Sequence, residues 1–187
     1  MARRNDKRTR LVESADKLFH EQGVSTTTLA NIAQLADVPL GNVYYYFKSK
    51  ESIILAVIEY RRRDLQNRFE EFNANPDVKT RLKSLVSMFV NRGEEIANYG
   101  DVFGNLCQEL GKSDGKISEA ATELMKDILN WCEKQFRSLG KDESSRHLAV
   151  NLVSALQGTS LLTLTFKNPQ YMTDHSSYLN KWLDEAV

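Results

Sequence analysis

The sequence predicts an all-α protein of about nine helices, on three observations. Apolar residues recur at helical spacing along almost the whole chain, whereas the strict alternation of a half-buried strand is nearly absent. Only three prolines occur, Pro39, Pro76 and Pro169, each where a helix should begin or end. Hydrophobic residues make up 41% and charged residues 27% of the 187, the balance of a globular core rather than a disordered or fibrous chain.

A first helix is expected from about Asn5 to Gln22, with Leu11, Val12, Ala15, Leu18 and Phe19 on one face and Gly23 as its C-terminal cap. Ser25-Thr26-Thr27-Thr28 is suited to capping a short second helix that carries Leu29, Ile32, Ala33 and Ala36. Asp37-Val38-Pro39 breaks that helix, and a third runs from Pro39 or Leu40 to near Phe47. Ser49 caps a fourth that reaches about Asn73. Pro76, behind an Asn75 cap, opens a fifth helix whose buried stripe is Leu82, Leu85, Met88, Phe89 and Ile96. A short helix around Val102–Leu110 follows, then longer ones over about 117–138, 144–166 and 174–186.

No apolar run approaches the roughly 20 residues needed to span a bilayer, and the N-terminus lacks the apolar stretch of a signal peptide, so the cytoplasm is the expected compartment. Cys107 and Cys132 make no disulfide framework, and with three scattered histidines they match no metal-ligand spacing. Each reads either as a small buried apolar residue or as a thiol that senses oxidants. No P-loop, nucleophile elbow or paired-carboxylate site is present, so neither an enzyme nor a cofactor is expected. Net charge is zero but uneven: residues 1–63 carry 11 Lys and Arg against 7 Asp and Glu. A basic head on an acidic body fits a nucleic-acid reader joined to something else.

The informative stretch is Thr27–Lys50. Ile32, Ala33, Ala36, Val38, Val43 and Phe47 are spaced to pack two short helices across one another, with the alanines permitting close approach. Such a helix-turn-helix leaves the outer face of its second helix free for a DNA major groove. On that face Gly41 admits a phosphate backbone to the helix N-terminus, and Asn42 offers a donor and an acceptor to base edges. Tyr44, Tyr45 and Tyr46 are consecutive, so they cannot all point inward; Lys48 and Lys50 add cations. The alternative is core, rim and interface patch.

These residues resemble the TetR family of bacterial regulators. The similarity rests on Ala15, Leu18, Phe19 and Gly23, then Thr27-Thr28, Ile32-Ala33, Ala36-Asp37-Val38, Gly41, Tyr44-Tyr45, Phe47 and Lys48-Ser49-Lys50-Glu51, over about residues 8–58. It departs where the family has Gly for Asp37, so the turn should rely on Asp bonding to nearby backbone, and where Pro39-Leu40 replaces a hydroxyl and a cation. The resemblance implies a DNA-facing set of Thr27, Thr28, Pro39, Leu40, Gly41, Asn42, Tyr44, Tyr45, Lys48 and Lys50. Within it Thr28, Tyr44 and Lys50 would touch phosphate, and Leu40, Asn42 and Tyr45 base edges. Arg3, Arg4, Lys7 and Arg8 form either a minor-groove arm or a solvated tail.

The implied organisation is a DNA-binding domain over 1–50 and a helical ligand-binding and dimerisation domain over 51–187. By resemblance, the last two long helices pair with a second subunit. Leu148, Leu152, Ala155, Leu156, Thr159 and Leu162 form the stripe, with Ala155, Gly158 and Ser160 allowing close approach; the alternative is an internal core helix. An effector cavity is implied around twelve residues, Met88, Phe89, Phe103, Leu106, Cys107, Leu110, Met125, Ile128, Leu129, Trp131, Cys132 and Phe166, with Asn105, Gln108 and Glu109 as polar candidates. Plain core packing is the competing reading. The expected function is transcriptional regulation of double-stranded operator DNA by a homodimer. In the leading form a repressor is released when a small molecule tilts the fourth helix; in the other, the body recruits a protein partner.

Overall fold

A computed structural model describes residues 2–112 and 115–186, with side chains from 6 to 112 and 115 to 185. Among the described residues every regular element is an α-helix. These are α1 (Ala2–Gln22), α2 (Leu29–Leu35), α3 (Leu40–Tyr46), α4 (Lys50–Asn73), α5 (Val78–Asn91), α6 (Gly93–Tyr99), α7 (Val102–Leu110), α8 (Lys116–Ser138), α9 (Ser145–Phe166) and α10 (Gln170–Ala186).

The chain divides into two compact units. The first holds 1–63 together with 105–124; the second holds 64–104 and 125–187. This division differs from a break at residue 50, because α4 continues past it and the stretch 105–124 joins the N-terminal residues.

In the first unit α1 packs on α2 and α2 on α3. Leu11, Ala15, Ile32, Val43, Ile53 and Val57 are fully buried, each contributing about 1–3 kcal/mol by leaving water. Buried Arg61 of α4 donates from Nε to the Asp16 carboxylate of α1 and at 3.4 Å from Nη2 to the Asp16 carbonyl. That pairing compensates the desolvation of the guanidinium.

In the second unit α10 packs against α5 and α9, and α6 against α9. The fifth helix expected from sequence is two. Arg92 leaves helical geometry, with φ −104° and ψ 11°, and the turn sets Gly93 against Pro169, where an added Cβ would lie 3.4 Å from the proline ring. Its start also differs. Asp77, not Asn75, is the N-cap, accepting from the Thr80 amide at 3.0 Å, while Asn75 Oδ1 accepts from the Asp77 amide in the turn that carries Pro76. The Thr80 hydroxyl bonded to it holds the Asp77 carboxyl below its ordinary pKa. α10 begins at Gln170, four residues before the expected start.

α9 is long and apolar enough, by length and composition, to cross a membrane, contrary to the sequence expectation; 39% of its most apolar window is buried within the chain. Its expected dimer stripe splits in two. Leu152, Leu156, Thr159 and Ser160 are core, whereas Leu162 is 47% exposed. The outward side instead presents Val150, Ser154, Gly158, Leu161 and Leu162.

Candidate nucleic-acid interface

Local chemistry positions each part of the helix-turn-helix. Gly23 closes α1 at φ +87°, a conformation that favours glycine. Thr28 caps α2 through a reciprocal box: its hydroxyl accepts from the Asn31 amide at 3.1 Å, and Asn31 Oδ1 accepts from the Thr28 amide at 3.0 Å. Asp37 occupies the left-handed region at φ +51°, which explains why glycine suits that position. Its carboxylate is fully exposed and lies 3.9 Å from Arg10, so the expected Asp-to-backbone bond is replaced by a solvent-facing ion pair. Pro39 stands at the N-cap position of α3 without a side-chain capping bond, and Ser49 caps α4 by exchanging 3.3 Å bonds with Ser52.

The face of α3 divides as its sequence suggested. Val43 is fully buried and Phe47 nearly so. Leu40 is 42%, Tyr44 50% and Tyr45 56% exposed, beside exposed Pro39, Gly41, Asn42 and Lys48. Tyr46 is half-buried and meets the Tyr45 ring edge-on at 5.2 Å. A Cβ on Gly41 would meet nothing within 4 Å, so the second residue of α3 faces open space. Helix-end N–H groups, an amide, two phenols and a leucine thus share one accessible surface, the mixture that phosphate and base-edge contacts require.

One residue leaves that set. Thr27 is fully buried, its hydroxyl donating to the Gly23 carbonyl at 2.7 Å and accepting from Gln22 Nε2 at 3.1 Å. It secures the α1–α2 turn. Arg8 also differs from a free arm, since its guanidinium lies 5.2 Å from the Phe47 ring centre. The side chains of Arg3 and Arg4 lie outside the described residues.

Sequence reading missed what holds the turn from the far side. Glu109 of α7 accepts from the Val24 amide at 2.8 Å and the Ser25 amide at 2.6 Å, one carboxylate oxygen each. Lys50 Nζ donates to the carbonyl of the same Ser25 at 3.3 Å. A contact 85 residues apart leaves no local signal. It also corrects the assignment of Glu109 to effector specificity, because both oxygens are engaged with backbone.

Residues 11–57 match the profile described as "Bacterial regulatory proteins, tetR family". The HTH-type transcriptional regulator LmrA of Bacillus subtilis is 29% identical over 170 residues, covering 87% of this chain and 89% of that protein. Over residues 11–57 the chain thus resembles the TetR family of bacterial regulators. The HTH-type transcriptional repressor KstR2 of Rhodococcus jostii is 33% identical over 85 residues, 45% of this chain and 42% of that one. A crystal structure of a TetR transcriptional regulator from Chloroflexus aurantiacus gives a TM-score of 0.87 at 17% identity, covering 98% of this chain and 97% of that one. The TetR fold is shared. The relatives LmrA and KstR2 are named as an HTH-type transcriptional regulator and, for KstR2, a repressor, and neither is named as an enzyme.

The twelve expected effector residues are divided between the two compact units. Phe89, Phe103, Leu106, Leu110, Ile128 and Trp131 are close-packed core, Cys107 and Met125 are half-buried, and Phe166 is 60% exposed beside Tyr171. Trp131 is engaged in packing, stacking on Phe69 at 4.6 Å and donating from Nε1 to Asn73 Oδ1 at 3.2 Å. The second unit instead carries a groove of about 470 Å³ lined by Arg68, Phe72, Ser84, Ser87, Met88, Asn91, Arg92 and Glu95. Of the twelve expected residues, Met88 lines it and the others do not. The Cys107 thiol donates to the Ala121 carbonyl at 3.1 Å, and burial pushes the Cys132 thiol far above its ordinary pKa. Among the described residues no group of His, Cys, Asp and Glu is arranged to hold a metal ion.

Proposed function

We propose that this protein is a cytoplasmic, homodimeric repressor that binds operator DNA through α3 and is released by a small-molecule effector. The observation that carries the reading is the outward face of α3, where Leu40, Tyr44 and Tyr45 stay 42–56% exposed beside Asn42 and Gly41 while Val43 and Phe47 fill the core. Large apolar and aromatic residues clustered on a surface mark a binding face. Thr28, Tyr44 and Lys50 serve phosphate, and Leu40, Asn42 and Tyr45 read bases.

Dimerisation through α9 and α10 is supported by their unfilled sides. Val150, Leu161, Leu162, Phe166, Tyr171 and Tyr178 are 40–64% exposed, and Gly158 has open space where a Cβ would stand. A partner helix would cover this face, and two-fold pairing matches a palindromic operator. Repression is favoured by the name of the KstR2 relative.

The groove of the second unit supports an effector site, since about 300–1,000 Å³ is the range of small-molecule sites and its lining joins Phe72 and Met88 to hydroxyl, amide and charged groups. Release follows if the effector prefers a conformer with lower DNA affinity, and only by that difference in affinity.

The test is operator selection followed by titration. Tyr44→Ala and Lys50→Ala should weaken binding to all sequences and reduce its salt dependence, whereas Asn42→Ala should change sequence preference. Wild-type affinity in all three would refute the interface, and a monomeric wild type at micromolar concentration would refute the dimer.

A further inference from the structure

We propose that Glu109 is a positioning residue for operator binding: from α7 it grips the backbone of the α1–α2 turn and so sets the place of α2 and of Lys50. This rests on the DNA-binding reading above and adds to it a residue outside the helix-turn-helix.

The geometry is that of a clamp. Two carboxylate oxygens take two successive N–H groups, of Val24 and Ser25, at 2.8 and 2.6 Å. A charged acceptor shortens and strengthens such bonds, and one carboxylate satisfying adjacent amides fixes the orientation of the peptide between them. The Ser25 carbonyl, on the same short turn, receives the Lys50 ammonium at 3.3 Å. Thr26 and Thr27 donate their hydroxyls back to the carbonyls of Gln22 and Gly23, so the turn leading into the Thr28 cap is bonded from both ends. Gly23 completes the fit, since a Cβ there would stand 3.3 Å from Glu109 Oε2. The stretch that carries Glu109, residues 105–124, lies in one compact unit with residues 1–63, and the Cys107–Ala121 bond ties its two helical pieces together.

A negative charge in this basic head would, acting through charge alone, repel DNA. Its removal should then tighten binding. Positioning predicts the opposite sign, and the two roles separate cleanly. Glu109→Gln keeps the volume, removes the charge and turns an amide donor toward one of the two N–H groups. Glu109→Asp keeps the charge but falls short of the turn. In the full-length dimer both variants should bind the selected operator about tenfold more weakly than wild type while circular dichroism stays unchanged. Combined with Lys50→Ala, each should cost less than the sum of the single losses, because Glu109 acts partly through Lys50. Hydrogen exchange at the Val24 and Ser25 amides should accelerate in both.

Unchanged or tighter operator binding in Glu109→Gln, or wild-type affinity in Glu109→Asp, would overturn the proposal. Tyr44→Ala is the control: if it too leaves binding intact, the interface reading has failed rather than the clamp.

Discussion

Gly41→Ala separates folding from DNA binding more sharply than any other single change. The glycine is the second residue of α3, and an added Cβ would meet nothing within 4 Å. In a helix interior alanine is favoured over glycine by about 0.5–1 kcal/mol. So near the helix start we expect about 0.5 kcal/mol, or a rise of about 1–2 °C in Tm for a protein of this size. Operator binding should move the other way. A methyl group between the α3 N-terminus and a phosphate has to be accommodated by displacement, and overpacking of a close contact costs about 1–3 kcal/mol, which is about 5- to 150-fold in Kd. Thermal melts by circular dichroism and anisotropy titrations on operator and unrelated duplexes read both quantities. On the proposed reading the loss should appear on both duplexes, because a glycine that admits the phosphate backbone does so whatever the base sequence. A lowered Tm would show that the space beside Gly41 is filled in the folded protein. Unchanged affinity would show that this end of α3 does not approach DNA.

Thr27→Val should lower stability by about 1–2 kcal/mol, from the lost bonds to Gly23 and Gln22, yet leave operator affinity intact at temperatures where the variant is folded. Reduced affinity in a fully folded variant would return Thr27 to the DNA-contacting set. Asp37→Gly should raise Tm by about 1–3 °C, since it relieves a left-handed residue whose exposed pair with Arg10 at 3.9 Å contributes little; a fall in Tm would assign that pair real weight. Cys132 has its folded pKa raised by burial, so the stability it supports is complete below the ordinary thiol pKa of about 8.5 and is lost as pH rises above it. Chemical denaturation from pH 7 to 10 should therefore decline less steeply in Cys132→Ala, and rapid labelling of Cys132 in the native protein would contradict the burial.

The helix-turn-helix was legible because its causes are local. Gly23 at the end of α1, the Thr28 cap, the break at Asp37–Pro39 and the Ser49 cap each act within about four residues, so residue order and spacing suffice to place α1 to α4. The consecutive tyrosines were legible for the same reason, since helical geometry alone forbids burying all three. At Thr27 the structure shows what the resemblance did not convey: this position within the motif faces inward because its hydroxyl closes the turn.

Sequence by itself thus determined the fold class and the solvent-facing side of α3, because helix period and capping are short-range rules. Tertiary structure alone decided which apolar stripes are filled. Leu152 and Leu156 went to the core and Val150 and Leu161 to the surface of one helix, and Trp131 was taken up by Phe69 and Asn73. It alone also brought Glu109 to Val24 and Ser25, a bond made by chain folding across 85 residues that no local pattern encodes.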